Sequence, residues 1–315
     1  MEKRQLGKSM LRVSPLAFGG NVFGWTVDEK KAFQILDAFV AAGFDFIDTA
    51  NSYSRWVPGN KGGESETVIG NWMKKRNNRE RVVIATKVGS DMGQGYKDIS
   101  RKHILAAVED SLRRLQTDYI DLYQTHWDVE TIPVEETLEG HAKLVKEGKV
   151  RWIGASNFTP ERLKSSLAAS KKNGYPRYES LQPIYNLYDR DAFEGSLERI
   201  CLDEGLGVIG YYSLASGFLT GKYRSESDLT KSPRGNGIRK YMNERGFRIL
   251  AALDSVADQY QSTPASIAIA WLLARPSVTA PIASATTLAQ LEDLTKAAEL
   301  KLSDEAVALL NFASR

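Results

Sequence analysis

The stretch FDFIDTANSYS, Phe44 to Ser54, decides the fold. It begins as a strand that can be buried on both faces, then delivers an acid, Asp48, and five residues later a tyrosine, Tyr53. A buried carboxylate without a partner is costly, so Asp48 needs a cation from elsewhere in the chain. Just upstream, Ala32, Ile35, Leu36, Phe39 and Val40 share one helical face after a capping Asp28, and Gly43 can end that helix. Helix then strand is therefore the local unit, and the question is how often it repeats.

It repeats along the whole chain. Runs rich in Val, Ile, Leu and aromatic residues recur as LAFGG, FDFIDTA, RVVIATKVG, YIDLYQTHW, VRWIGASNF, YESLQPIYN, GVIGYYSL and VTAPIASA, eight in all. Helical patterns lie between them: Ile104, Leu105, Val108, Leu112 and Leu115 after Ser100, then Val134, Leu138, Ala142 and Val145 before Gly148. Eight strand and helix units predict parallel pairing through right-handed crossovers, and at 315 residues a closed (β/α)8 TIM barrel is the economical arrangement. RQLGKSMLRVS reads as a short N-terminal hairpin closing the bottom, and the remaining C-terminal segments read as helices. The expectation is a single α/β domain over residues 1–315. An open doubly wound sheet is the runner-up, but it ordinarily carries a nucleotide fingerprint at its first turn, and none is there.

Composition narrows the function. With 42% hydrophobic and 26% charged residues the chain has ample material for a core. A net charge of +3 without blocks of like charge implies no nucleic-acid or membrane footprint. One cysteine, Cys201, excludes an internal disulfide and reads as packing. With the charged start MEKRQLGKSM it points to a reducing cytoplasm. ASIAIAWLLA, from Ala265, is too short to cross a bilayer and reads as a buried helix capped by Thr263 with Pro264 in its first turn. GLGVIG matches a dinucleotide fingerprint but leads into a strand, and GFLTGKY is one residue short of a P-loop. The three histidines, His103, His126 and His141, offer no metal-ligand spacing; His103 and His141 read as structural or solvent-facing.

In such a barrel the strand C-termini face the active site. FDFI ends in Asp48, VVIAT in Lys87, YIDLYQT in His126, WIGA in Ser156 and Asn157, ESL in Gln182, and GVIG in Tyr211. If neighbouring strands carry Asp48 and Lys87, the two pair across the mouth. A phenol with pKa about 10 is a poor acid at neutral pH, and an ammonium about 4 Å away contributes about 4 kcal/mol to phenolate stability before burial and Asp48 oppose it. Lys87 thus supplies the field, Asp48 holds it, His126 hydrogen-bonds the substrate oxygen, and Tyr53 protonates the oxygen of a carbonyl being reduced.

In order and strand position, Asp48, Tyr53, Lys87 and His126 resemble the catalytic tetrad of the aldo-keto reductase family, in its branch that includes the potassium-channel β subunits. The resemblance runs from LGKSMLRVSPLAFGG through DTANSY, ATKVG, DLYQTHW, IGASNF, LQPIYNLYDR and GFLTGKY to PIASATTLAQLEDL. It implies a (β/α)8 barrel, no metal, and reversible hydride transfer between NADPH/NADP+ and an aldehyde, ketone or alcohol, with NADH as the second cofactor choice. It also implies a cofactor site. Ser156, Asn157 and Gln182 meet the carboxamide, Tyr211 stacks on the nicotinamide, and Gly20 and Asn21 approach from beside it. Leu214, Ser216, Gly217, Leu219 and Lys222 surround the pyrophosphate. Ser284, Thr286, Gln290 and Asp293 take the adenosine end, with the Thr287 backbone at a 2'-phosphate.

The sequence departs from the family in details. Tyr212 and Ser213 stand where many relatives have Ser-Pro, Ser284 stands for a common glycine, and Leu294 for a frequent asparagine. No Arg or Lys lies between Ser284 and Asp293, so Arg234 or Lys222 is the expected compensating cation, from a segment over residues 223–246 that reads as a lid or a surface insertion. Trp25, Trp56 and Trp127 follow strands one, two and four and form the expected aromatic wall of the substrate pocket. Two other readings remain: a Schiff-base aldolase using Lys87, and a cofactor-binding regulatory subunit with little turnover.

Overall fold

A computed structural model describes residues 2–315, with the backbone alone for Asn236. The chain opens with a two-stranded antiparallel hairpin, β1 (Arg4–Gln5) and β2 (Arg12–Val13), in the register Arg4 to Val13. Eight parallel strands follow, alternating with helices. These are β3 (Ala17–Gly19), α1 (Glu29–Ala41), β4 (Phe46–Asp48), α2 (Glu64–Arg76), β5 (Val83–Val88), α3 (Arg101–Leu115) and β6 (Ile120–Thr125). Next come α4 (Val134–Lys146), β7 (Val150–Ser156), α5 (Pro160–Asn173), β8 (Tyr178–Gln182), α6 (Ser196–Glu204) and β9 (Gly207–Val208). The C-terminal part adds α7 (Gly235–Ile238), α8 (Glu244–Gln259), α9 (Pro264–Leu273), β10 (Ile282–Ala283), α10 (Leu288–Ala297) and α11 (Asp304–Ala313).

The sheet order β10-β3-β4-β5-β6-β7-β8-β9 is sequential apart from β10 beside β3. The amides of Thr279 and Ile282 donate to Val208 and Gly210 carbonyls, joining β9 to β10, so the sheet closes into a (β/α)8 barrel. All eight apolar runs supply a strand, though β9 and β10 are shorter than their runs. The helix starts follow side-chain caps: Asp28, Ser100, Thr159 and Thr263 each accept from a backbone amide three residues on, a contact worth about 1 kcal/mol each.

The two-residue period of the strands separates two cores. Ala17, Phe46, Val83, Ala85, Leu122, Ile209 and Ala280 point into the barrel, and Leu6 and Val13 of the hairpin join them as its floor. Ile47, Ile84 and Tyr123, the alternate residues, face outward into the larger core beneath the helices. Continuing the inward row toward the strand ends carries it from Phe46 to Asp48, from Ala85 to Lys87, and from Leu122 to Gln124. Apolar side chains thus fill the lower barrel, and polar ones occupy the upper layer.

Gly154 makes that upper layer possible. A Cβ there would lie 2.3 Å from Ser180 Oγ and 3.2 Å from Gln124 Cγ, so a side chain on this residue would displace the amide of Gln124. The pairing of β7 with β8 shifts register between Ile153 and Gly154, at the same place.

The segment after Tyr223 is no free insertion. It runs through short 3-10 turns and α7, and Tyr223, Leu229, Ile238 and Tyr241 are all buried beneath it. Lys231, Ser232, Pro233 and Arg234 line the large cleft described next.

Candidate active site

At the upper barrel mouth, β4 and β5 pair with Asp48 opposite Ala85, which places Lys87 one inward position higher. Lys87 Nζ donates to Asp48 Oδ2 at 2.6 Å, to the Thr49 carbonyl at 2.8 Å and to Tyr53 OH at 2.9 Å. The ammonium's three protons are therefore all placed. Lys87 and Asp48 are 0% and 1% exposed in their side chains, so the partner that Asp48 demanded is Lys87, in a sealed pair. The second carboxylate oxygen accepts from Gln182 Nε2 at 2.9 Å and Gln124 Nε2 at 3.3 Å. Gln124 escapes a reading by strand termini, since the last polar residue of its run is His126. The inward alternation from Leu122 identifies it, as does its register opposite Lys87.

Tyr53 reaches this cluster from the loop after β4, with its hydroxyl 3.5 Å from Asp48 Oδ2. Burial first, and the Asp48 charge second, hold the phenol well above its ordinary pKa. With its pKa raised in this way, the hydroxyl is protonated at neutral pH. Burial pulls Lys87 below the usual lysine value against the upward pull of Asp48. The resulting arrangement can give up a phenolic proton beside a cation already in hydrogen-bond contact with the oxygen that would carry the charge.

His126 stands across from Tyr53, ring centroids 6.2 Å apart. Its Nδ1 is 2.9 Å from Ser90 Oγ, a contact no sequence motif announces. Burial, then Lys87 and Lys97, push the imidazole well below the ordinary histidine pKa, so it is neutral. When Ser90 donates to Nδ1, Nε2 carries the proton.

A continuous cavity of about 1020 Å3 opens above these groups. Asn21, Tyr53, Trp56, His126, Trp127, Ser156, Asn157, Gln182 and Tyr211 line one part of it. Leu214, Ser216, Gly217, Lys222, Arg234, Ser284, Thr286, Gln290 and Asp293 line the rest. Asp48 and Lys87 lie beneath Tyr53. Three expected contacts differ. Leu219 is fully buried in the apolar core, Trp25 packs edge-on against Trp56 at 5.7 Å, and Gly20 lies behind Gly19, its carbonyl taken by Ser65 Oγ. Lys31, Thr220, Lys231 and Thr263 join the wall without a sequence signal, because tertiary packing alone brings them there.

The wall has fixed polar geometry. Tyr211 OH donates to Asn157 Oδ1 at 2.7 Å, and Asn157 Nδ2 donates to the His126 carbonyl at 2.9 Å, which ties the Tyr211 ring to the His126 side of the mouth. Asn157 adopts φ 56, a left-handed conformation that asparagine tolerates better than most residues. Further along, Ser216 (φ 59) and Gly217 (φ 101) form a left-handed turn; a Cβ on Gly217 would meet nothing closer than 3.9 Å, with Lys222 Nζ among those atoms. At the far end Thr287 caps α10, and Gln290 Oε1 accepts from both the amide and the hydroxyl of Thr286, at 2.8 and 3.0 Å.

The length of this cleft, an aromatic ring at one end, a left-handed turn with a lysine in the middle and a helix N-terminus at the other, fits a dinucleotide lying beside a small substrate. A sequence model of the aldo/keto reductase family matches residues 15–314. The chain belongs to the aldo/keto reductase family. It is 37% identical to the uncharacterized oxidoreductase YrpG of Bacillus subtilis, covering 99% of this chain and 95% of that one. It is 31% identical to the NADP(+) aryl-alcohol dehydrogenase of Phanerodontia chrysosporium over 96% of this chain and 82% of that one. It is also 30% identical to a probable voltage-gated potassium channel subunit beta of Arabidopsis thaliana, over 95% and 92%. As a member of this family the chain is a nicotinamide-dependent oxidoreductase acting on a small carbonyl compound or its alcohol. No helix among the described residues is long and apolar enough to cross a membrane.

Proposed function

We propose that the protein reduces an aldehyde or ketone with NADPH, reversibly, and that Tyr53 is the general acid. The observation that carries this reading is Lys87 Nζ, bonded at once to Asp48 Oδ2 and Tyr53 OH beneath the open cavity. When bound, the nicotinamide supplies hydride to the carbonyl carbon. Tyr53 delivers its proton to the carbonyl oxygen, and Lys87 stabilises the phenolate left behind. Asp48, held by Gln124 and Gln182, keeps the ammonium in place and charged. His126, neutral and braced by Ser90, orients the carbonyl through Nε2. In the oxidative direction the same phenolate accepts the alcohol proton.

The choice of NADPH over NADH rests on cations along the cleft. Lys31, Lys222, Lys231 and Arg234 all reach its wall, which supplies positive charge that the segment Ser284 to Asp293 lacks. A 2'-phosphate adds charge for such groups to meet. Ser156, Asn157, Gln182 and Tyr211 would hold the nicotinamide end; Ser216, Gly217 and Lys222 the pyrophosphate; Thr286, Gln290 and Asp293 the adenosine. Gln182 and Asn157 already donate to Asp48 and His126, so their remaining contacts to a carboxamide are through their oxygens or by exchange of partners.

Titrating the protein with NADPH and NADH by tryptophan fluorescence, followed by an aldehyde panel read through nicotinamide absorbance, tests the proposal. Tighter NADPH binding with turnover is expected. Binding with no turnover of any carbonyl would shift weight to a regulatory subunit. A borohydride-trapped adduct on Lys87 would favour an aldolase instead.

A further inference from the structure

The substrate end of the cleft combines open aromatic rings with cations that lack close counter-ions. Trp56 and Tyr212, 51% and 47% exposed, are among the large apolar side chains left open on the molecule, and both line this cavity. Trp56 stands edge-on to Tyr53, centroids 6.1 Å apart, and Trp127 stacks on His126 at 5.6 Å. Whatever is attached to a carbonyl held by Tyr53 and His126 therefore lies beside the indole rings of Trp56 and Trp127, a setting that favours a planar ring.

Arg55 sits on the same wall, two residues after Tyr53. Its guanidinium makes no hydrogen bond among the described residues, and its nearest carboxylate is Asp91 at 4.0 Å. That carboxylate is already engaged, accepting from the amides of Gly93 and Gly95 at 2.7 and 3.0 Å. Asp91 follows Ser90, the partner of His126, so Arg55 spans the loop that carries Tyr53 and the loop whose Ser90 braces His126. Lys97 lies 3.9 Å from the Trp127 ring centroid and makes no ion pair among the described residues. Beside the rings the cavity wall thus presents the guanidinium fork of Arg55, a group that binds carboxylates, while the Lys97 ammonium sits over Trp127 outside the lining.

The geometry points to an aromatic aldehyde carrying a carboxylate as the preferred substrate, with Arg55 as the residue that receives the carboxylate. This rests on the carbonyl-reductase reading. The reaction is the same one: the C=O π bond opens, the carbon takes hydride from NADPH, the oxygen takes the Tyr53 proton, and NADP+ and the benzylic alcohol leave with the carboxylate intact.

The test compares kcat/KM for 4-carboxybenzaldehyde, methyl 4-formylbenzoate and benzaldehyde, with a separate measurement of 4-(hydroxymethyl)benzoate binding to the NADP+ complex by tryptophan fluorescence. The carboxylate is expected to be preferred by about tenfold, the scale of one charge-assisted hydrogen bond at a partly exposed site. Raising salt should shrink the preference, Arg55→Gln should abolish it, and Arg55→Lys should keep part of it. Turnover of benzaldehyde with no carboxylate preference, or a preference unchanged in Arg55→Gln, overturns the inference and leaves carbonyl reduction standing. If none of the aldehydes is reduced, the reductase reading falls. Binding then decides the inference: equal affinity for 4-(hydroxymethyl)benzoate in the native protein and Arg55→Gln overturns it, and weaker binding by the variant supports it.

Discussion

The barrel holds a buried aspartate with a cation at each end, and only one of them lies beneath the large cavity. At the upper mouth Asp48 meets Lys87. At the opposite end of the strands Asp121, near the start of β6, accepts from Arg79 Nη2 at 2.7 Å, Arg151 Nη1 at 2.9 Å and the Ile84 amide at 2.9 Å. The ring of Tyr119 lies beneath both guanidinium groups, 3.9 Å from Arg79 and 3.8 Å from Arg151. Here too are an acid, cations and a tyrosine. Yet the tyrosine offers its face, its hydroxyl takes no part in the ion cluster, and the large cavity does not reach it. At the mouth the cation touches the phenolic oxygen itself, beneath open space. A buried ion pair is thus weak evidence of chemistry; an ion pair bonded to a proton donor at a cavity floor is stronger.

The contrast breaks most directly at Tyr53. Tyr53→Phe should lower kcat for carbonyl reduction roughly a thousandfold while shifting stability by about 1 kcal/mol or less, because one hydrogen bond to Lys87 is lost and the ring stays. Wild-type turnover in that variant would remove Tyr53 from proton transfer. Lys87→Met should combine a comparable loss of kcat with destabilisation of about 3 kcal/mol, since Asp48 is left buried without its cation. Urea denaturation alongside turnover separates the two effects.

The lower end should behave oppositely. Asp121→Ala should cost about 3 kcal/mol, because Arg79 loses its carboxylate in a mostly buried setting, while kcat per folded molecule stays within about twofold. A large fall in kcat with unchanged stability would defeat the distinction between the two ends.

The histidines sharpen it further through pH. His141 is buried behind β6, with Nε2 3.0 Å from Thr125 Oγ1, and burial takes its pKa down to about 3. Between about pH 6.5 and 3 the unfolded chain binds a proton there that the folded chain refuses, so stability falls as pH falls, on the order of 3 kcal/mol by pH 4. His141→Gln should flatten that dependence in urea titrations at pH 7 and pH 4; an equally steep dependence would place the acid sensitivity elsewhere. The smallest effect belongs to Arg151→Met, about 1 kcal/mol or less, because this arginine is half exposed and Arg79 still holds Asp121.

Much of this was legible in the residues. The alternation of apolar runs and helical faces named the barrel, since a parallel strand buried on both faces and a crossover helix leave few other closures. The polar residue at each strand end named most of the mouth, and Asp48 could be matched to Lys87 because the strands that carry them are adjacent. Less was legible where the reason lies across the fold. Gln124 and Ser90 are ordinary polar residues until β6 and the loop after β5 bring them to Asp48 and His126. Leu219 and Trp25 carry the right residue types near the right motifs, but packing turns one into the core and the other behind Trp56.

By itself the sequence determined the strand and helix order and which polar residues, Asp48, Lys87 and His126 among them, close the apolar runs, because these depend on local periodicity and side-chain chemistry. The tertiary structure alone decided that burial and the Asp48 charge raise the pKa of the Tyr53 hydroxyl. It alone decided that Lys31, Lys231 and Arg55 reach the cleft, and that Asp121 with its arginines stays outside it. Desolvation and through-space charge depend on distances between segments far apart in the chain, and those exist only once the barrel has closed.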